Sequence, residues 1–260
     1  MKTLNTLLLT SALTFVLALS NAQPGPRGGM GGPPPCPKFG AAMAKLFGEN
    51  NAFSANLEFQ MTEKSGGTTT MPGKLAYAEG KSRFEVDMTK VKSAQMPPGA
   101  GEQLKEMGMD KMLAISRPDK KISYFVYPSM NAHVETPLKD ADSDKTESDS
   151  KVEVTELGRE KIDGHDCLKN KVVVTDKDGT THESTVWNAS DLKKFPVKIE
   201  SIEDGNNVVK LFKDVKLAKP DSALFDPPTG STKYDNMMTL MQTEMMKRLG
   251  GAGGFKIPGQ

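Results

Sequence analysis

Between Phe53 and Met61 every second residue is apolar: Phe53, Ala55, Leu57, Phe59 and Met61 alternate with Ser54, Asn56, Glu58 and Gln60. A helix would scatter these side chains around its circumference, whereas a strand sets the five on one face and the polar set on the other. Register is then constrained, because a slip by one residue would turn the whole apolar set into water. The rest of the chain must supply neighbouring strands and an apolar layer over that face.

It has the segments to do so. Ser65-Gly66-Gly67 makes a turn, and strands are expected at Lys74–Tyr77 and Ser82–Met88, the latter with Phe84, Val86 and Met88 on one face. Ala78–Lys81 forms the hairpin between them. Further strands are expected at Met112–Ser116, Lys121–Tyr127, Met130–Glu135, Val152–Leu157, Asp166–Thr175, Thr181–Trp187, Pro196–Glu203 and Asn207–Leu217. Asp176-Lys177-Asp178-Gly179 and Asp204-Gly205-Asn206 read as hairpin turns. Helical spacing appears over Phe39–Leu46, Glu102–Lys111 and, most clearly, Tyr234–Leu249, with a helical turn at Asp191–Lys194. About nine or ten antiparallel strands with few helices give a mainly β (α+β) fold, a curved antiparallel sheet or incomplete β-barrel.

The N-terminus has a different character. Lys2, an apolar run over Leu7–Leu19 and small residues at Ser20 and Ala22 form a secretory signal peptide over residues 1–22. The run is shorter than the roughly 20 residues of a membrane span. Cys36 lies beyond a Pro/Gly stretch, which argues against a lipidated anchor. Residues 23–38 read as a Pro/Gly-rich tether, 39–249 as a single β domain and 250–260 as a flexible tail. The expected location is periplasmic or secreted, close to a membrane without spanning it.

A net charge of +1 gives no argument for a nucleic-acid partner. His133, His165 and His182 have no metal-binding spacing, and G-x-S-x-G, Walker and dinucleotide motifs are absent. The expectation is a protein that is not an enzyme and holds no cofactor. Asp140, Asp142 and Asp144 begin like a calcium loop, but Lys145 and Lys151 occupy the Gly and Glu positions, so the acidic stretch reads as a solvated loop. Cys36 and Cys167 either pair or stay free.

Sixteen methionines are the compositional excess, with Met237, Met238, Met241, Met245 and Met246 on the last helix. Three readings stand for them: a Cu(I) site of thioethers, a deformable apolar surface, or plain packing of a helix on a sheet.

Several ordered motifs resemble a known family. Phe53-Ser54-Ala55 and Gly80-Lys81-Ser82-Arg83-Phe84-Glu85 open the series. Gly158, Glu160, Ile162, Gly164 and Cys167 continue it, then Trp187 with Asp191-Leu192 and Pro196-Val197-Lys198. Pro220-Asp221, Leu224-Phe225, Pro228 and Gly230 close it. Together these resemble the outer-membrane lipoprotein carrier-like (LolA/LolB-like) superfamily, in its periplasmic branch. The resemblance implies an open barrel with short helices in its concave face, and a cavity that shields lipid or lipoprotein acyl chains. The Pro/Gly tether and the Met-rich last helix depart from the carrier pattern.

Leu57, Phe59, Phe84, Val86, Ile122 and Tyr124 are therefore the candidate ligand-binding residues of the sheet, with Met238, Met241 and Met245 as a helical lid. The alternatives are a structural or interaction protein of the cell envelope with a filled barrel, and a Met-rich Cu(I)-binding protein.

Overall fold

The computed structural model describes residues 37, 39–94, 96–138, 151–177 and 179–251. The signal peptide, all of the tether but Pro37, Cys36, the acidic loop at 139–150 and residues 252–260 lie outside the described residues.

Helix α1 (Ala41–Leu46) leads into strands β1 (Ala52–Thr62), β2 (Thr68–Ala78), β3 (Lys81–Asp87) and the short β4 (Lys92–Ser93). Helix α2 (Ala100–Glu106) precedes β5 (Lys111–Arg117), β6 (Ile122–Tyr127) and β7 (Ala132–Pro137). The second half adds β8 (Lys151–Ile162), β9 (His165–Thr175), β10 (Thr181–Ala189), β11 (Pro196–Glu203), β12 (Asn206–Lys216) and β13 (Thr232–Tyr234). Helix α3 (Met237–Gly251) follows.

Among the described residues these thirteen strands make one sheet, ordered β13-β7-β6-β5-β3-β2-β1-β12-β11-β10-β9-β8, with β4 beside β2. Its pairings are antiparallel, including the long-range pairing of β1 with β12, except that β13 pairs parallel with β7. The sheet is curved and does not close, which leaves β13 and β8 as its two edges. The mainly β, open-sheet architecture expected from the alternation is what the chain adopts.

The expected β2–β3 hairpin is a two-residue turn, Glu79 and Gly80, both at positive φ (52° and 80°). That backbone matches the right-handed twist of the flanking strands. Asp204 and Gly205 repeat it between β11 and β12 (φ 51° and 80°).

Boundaries shift where tertiary pairing intervenes. Tyr234, expected in the last helix, lies instead on β13 opposite Val134. The helix starts at Met237, where the Asn236 side chain accepts from the Thr239 amide at 2.8 Å as an N-cap. It runs on to Gly251, beyond the expected end at Leu249. Met130 lies in a 3-10 turn, and β7 starts only after Asn131 takes a positive φ of 49°.

Strand β8 extends five residues beyond the expected Leu157 through a bulge between Glu156 and Gly158. The bulge changes the face that each later residue presents. Glu160 thereby comes to the side of Trp187, whose indole Nε1 donates to its carboxylate at 2.8 Å.

Candidate functional site

Directly opposed residues of an antiparallel pair share a face, so the register assigns every strand residue to a side. The inner face is the one on which α1 lies. Leu57 of β1 opposes Gly73 of β2 and Phe212 of β12, and Gly73 opposes Val86 of β3. Phe84 opposes Leu75 and Ala114 on the same face. In the second half the row runs from Phe59 through Lys210 and Ile199 to Val186, and, one step along, through Ser184 and Val172 to Val154. Leu57, Phe59, Phe84 and Val86 are each at most 2% exposed and belong to one apolar cluster. These four expected site residues do come together.

Ile122 and Tyr124 do not join them. Tyr124 opposes Ile115, and the two pack with Ala76, Ala78, Leu113, Val126 and Phe225 in a second cluster on the outer face, with Ile122 at its margin. Strand β6 reads Ile-Ser-Tyr-Phe-Val-Tyr, with large apolar groups of both parities, so alternation alone cannot say which set faces inward. The outer cluster is covered by Phe225, 1% exposed, at the end of a 3-10 turn over Ser222–Phe225. Arg117 holds that segment down, donating to the Phe225 carbonyl at 3.2 Å and to Asp226 at 2.6 Å. The motif at 220–230 is thus a clasp over the back of the sheet.

The proposed lid is also rearranged. Helix α3 turns Leu240, 0% exposed, toward the sheet, with Met237 and Met241 packing on the inner cluster. Met238 and Met245 are 66% and 51% exposed, as is Met246 at 69%. Helical geometry sets the inward stripe at 237, 240, 241 and 244, and that register is fixed by polar anchoring. The Tyr234 hydroxyl donates to Glu244 at 2.5 Å, and Lys247 donates to Glu244 at 2.7 Å. Arg248 reaches the Glu106 carbonyl at 2.6 Å. Of the five methionines of α3, Met237 and Met241 are thus taken up in packing on the inner cluster, whereas Met238, Met245 and Met246 are exposed.

The inner face is polarised along the strands. At one end α1 places Phe47, 1% exposed, against Phe53, Tyr77, Phe195 and Phe212, with ring centroids 4.8, 5.1, 5.8 and 5.8 Å away. At the other end, where the β9–β10 and β11–β12 turns lie, polar groups gather. Lys210 is 0% exposed, donates to Glu203 and lies 6.0 Å from the centre of the Phe59 ring. Ser201 also donates to Glu203, at 3.0 Å. On the adjacent hairpin His182 stands 3.1 Å from the buried carboxylate of Asp176.

Sequence reasoning missed Lys210 and Glu203. The signal was present, since Lys210 shares the parity of Val208 and Phe212 on an otherwise apolar face.

Other ionisable groups have structural surroundings. Burial pushes the Cys167 thiol up, and it donates to the His165 carbonyl at 3.4 Å as a buried free thiol. Burial, and then Lys233, hold the His133 imidazole below its usual value. Among the described residues no cluster of three or more His, Cys, Asp or Glu could hold a metal ion. No described helix is long and apolar enough to cross a membrane. A groove of about 400 Å³ on the outer side of β1–β3 is lined by charges of both signs, including Glu58, Lys74, Glu85 and Lys213.

Similarities to solved structures are at low identity. LprF from Mycobacterium bovis is 13% identical, with 70% of this chain and 94% of that one covered and a TM-score of 0.37. A LolA superfamily protein from Nitrosomonas europaea is 11% identical over 71% and 94%, with a TM-score of 0.35. The Mycobacterium tuberculosis lipoprotein LppX is 11% identical over 67% and 93%, with a TM-score of 0.39. No curated protein matches the chain. Residues 53–195 match the family described as Domain of unknown function (DUF4412), and the chain belongs to that family.

Proposed function

We propose that this is a non-enzymatic binding protein that holds an apolar, lipid-like ligand, such as a lipid or lipoprotein acyl chain, on the inner face of its open sheet. One observation carries the reading. The apolar row does not stop at the core but runs out to the open edge, where Val152 and Val154 oppose Val174 and Val172. The edge valines are 42% and 61% exposed, while Val174 and Val172 are buried. An apolar strip continuous with the core and open to solvent is the kind of surface that marks a binding site. Helix α1, which covers the aromatic end of the face, is six residues and about 9 Å long.

Lipid extraction and native mass spectrometry of protein purified without detergent test the reading. Bound lipid, together with displacement of a hydrophobic dye by added lipid, is expected; recovery of neither overturns it. The filled-barrel alternative draws on the burial of Leu57, Phe59, Phe84 and Val86, and it predicts that second outcome.

Residues 1–22 are read as a removable export signal that brings the protein to the periplasm or outside the cell. N-terminal sequencing of the exported protein, beginning at Gln23, checks this.

A further inference from the structure

The loop between β10 and β11 turns at Lys193 and Lys194, which hold consecutive positive φ values of 49° and 57°. Across them the Phe195 amide donates to the Leu192 carbonyl at 2.8 Å. Two-residue turns of this backbone favour Gly at the second position, because at positive φ a Cβ crowds the following carbonyl oxygen. The chain meets that preference at Glu79-Gly80, Asp163-Gly164 and Asp204-Gly205. In the β10–β11 turn a lysine stands where Gly would relieve the strain. A strained position on the surface points to a function held there.

The surroundings fix the backbone of this turn and leave its side chains free. The Lys193 carbonyl accepts from Asn50 Nδ2 at 3.2 Å, and the Lys194 carbonyl accepts from Asn188 Nδ2 at 2.9 Å. Phe195, 0% exposed, anchors the turn with its ring 4.7 Å from that of Phe53. Both lysines are exposed, and neither ammonium has an ion-pair partner among the described residues. Lys45 of α1 and Lys216, which opposes Ser54 at the end of β12, are unpaired at the same end of the sheet. Asp191 is engaged by His165 at 2.8 Å and Asp214 by Asn56 at 2.7 Å. Glu49, next to Asn50, and Asp163 of the β8–β9 turn are the unpaired acids set against the four lysines. In a chain of net charge +1 this surplus is a local feature.

We propose that the Lys193-Lys194 turn docks the α1 end of the sheet on an anionic membrane surface. Such a surface asks for projecting positive charge and for no shaped groove. A protein partner would call for exposed apolar or aromatic side chains around the charge. The large exposed apolar residues, such as Val154, Ile202 and Met246, lie away from this turn on β8, the far end of β11 and α3. A fixed backbone keeps the two ammonium groups projecting together, while the lysine stems let each find a phosphate. The proposal is independent of the inner-face ligand, since it needs no space within the sheet.

Sedimentation with vesicles tests this, using phosphatidylglycerol mixed into phosphatidylcholine and phosphatidylcholine alone. The protein is expected to bind the anionic vesicles only, and to be released as salt rises. Lys193→Asn/Lys194→Gly installs the pair that the turn prefers. It is expected to raise the urea midpoint while weakening vesicle binding at least about tenfold. Lys193→Arg/Lys194→Arg should keep the binding. Lys92→Gln/Lys105→Gln, which removes two exposed and unpaired lysines elsewhere, should keep it too. Four outcomes overturn the docking site: no binding, equal binding to both vesicles, undiminished binding by Lys193→Asn/Lys194→Gly, or an equal loss in Lys92→Gln/Lys105→Gln. An unchanged or lower urea midpoint in Lys193→Asn/Lys194→Gly overturns the premise of strain, and the proposal with it.

Discussion

Gly73 of β2 lies directly beneath the ring of Phe84: a Cβ at residue 73 would stand 2.4 Å from Phe84 Cε2 and 2.5 Å from the Glu85 carbonyl oxygen. The absence of a side chain here lets Phe84 lie flat across the strand and join Leu57 and Val86 in the inner cluster. Gly73→Ala forces either the ring or the β3 backbone to move, which costs about 1–3 kcal/mol as overpacking. The gain from a stiffer unfolded chain is only about 0.4–1 kcal/mol, so destabilisation wins. A lower urea midpoint is the expected result.

Phe47 closes the aromatic end of the inner face from a helix only six residues long. Such a helix has little stability of its own and is held by the side chains it buries. Phe47→Ala should cost about 3–5 kcal/mol. It should also expose amides of α1 to hydrogen exchange before those of β1 and β12.

The anchoring of α3 carries an acid sensitivity. Burial raises the Glu244 carboxyl, but hydrogen bonds from Lys247 and Tyr234 outweigh it and hold the group below its ordinary value of 4.5. A carboxylate whose folded value is depressed adds stability that is fully present above its unfolded value and is lost as pH falls through the folded one. The anchoring is therefore complete at neutral pH and weakens below about pH 4.5. Comparing urea midpoints against pH for the protein and for Glu244→Gln should show a shallower acid decline in the variant. Parallel curves would remove Glu244 from the account.

The edge valines separate binding from folding. Val154 is 61% exposed, so Val154→Asp should change stability by no more than about 0.5 kcal/mol. Under the proposed function the same charge on the open strip should weaken lipid binding several-fold. A dye-displacement titration beside a thermal melt reads both effects, and unchanged binding would detach β8 from the ligand surface.

Much of this architecture was legible from local chemistry. The alternation from Phe53 sets the register of β1, and the paired turn residues at 79–80 and 204–205 set two hairpins, because both signals act between near neighbours. The candidate site was legible only in part. Leu57, Phe59, Phe84 and Val86 converge as expected, but Tyr124 faces outward and Met238 and Met245 point to solvent.

What the sequence determined by itself is which residues of a strand share a side. Which side is the inner one was decided by tertiary structure, because strands such as β2 and β6 bury apolar groups on both faces. The Phe225 clasp and the parallel pairing of β13 with β7 depend on contacts between segments far apart in the chain. A periodicity confined to one segment does not contain those contacts. The same holds for the charged end of the inner face: Lys210 is visible as a parity exception, but only the fold brings it to Glu203 and beside His182 and Asp176.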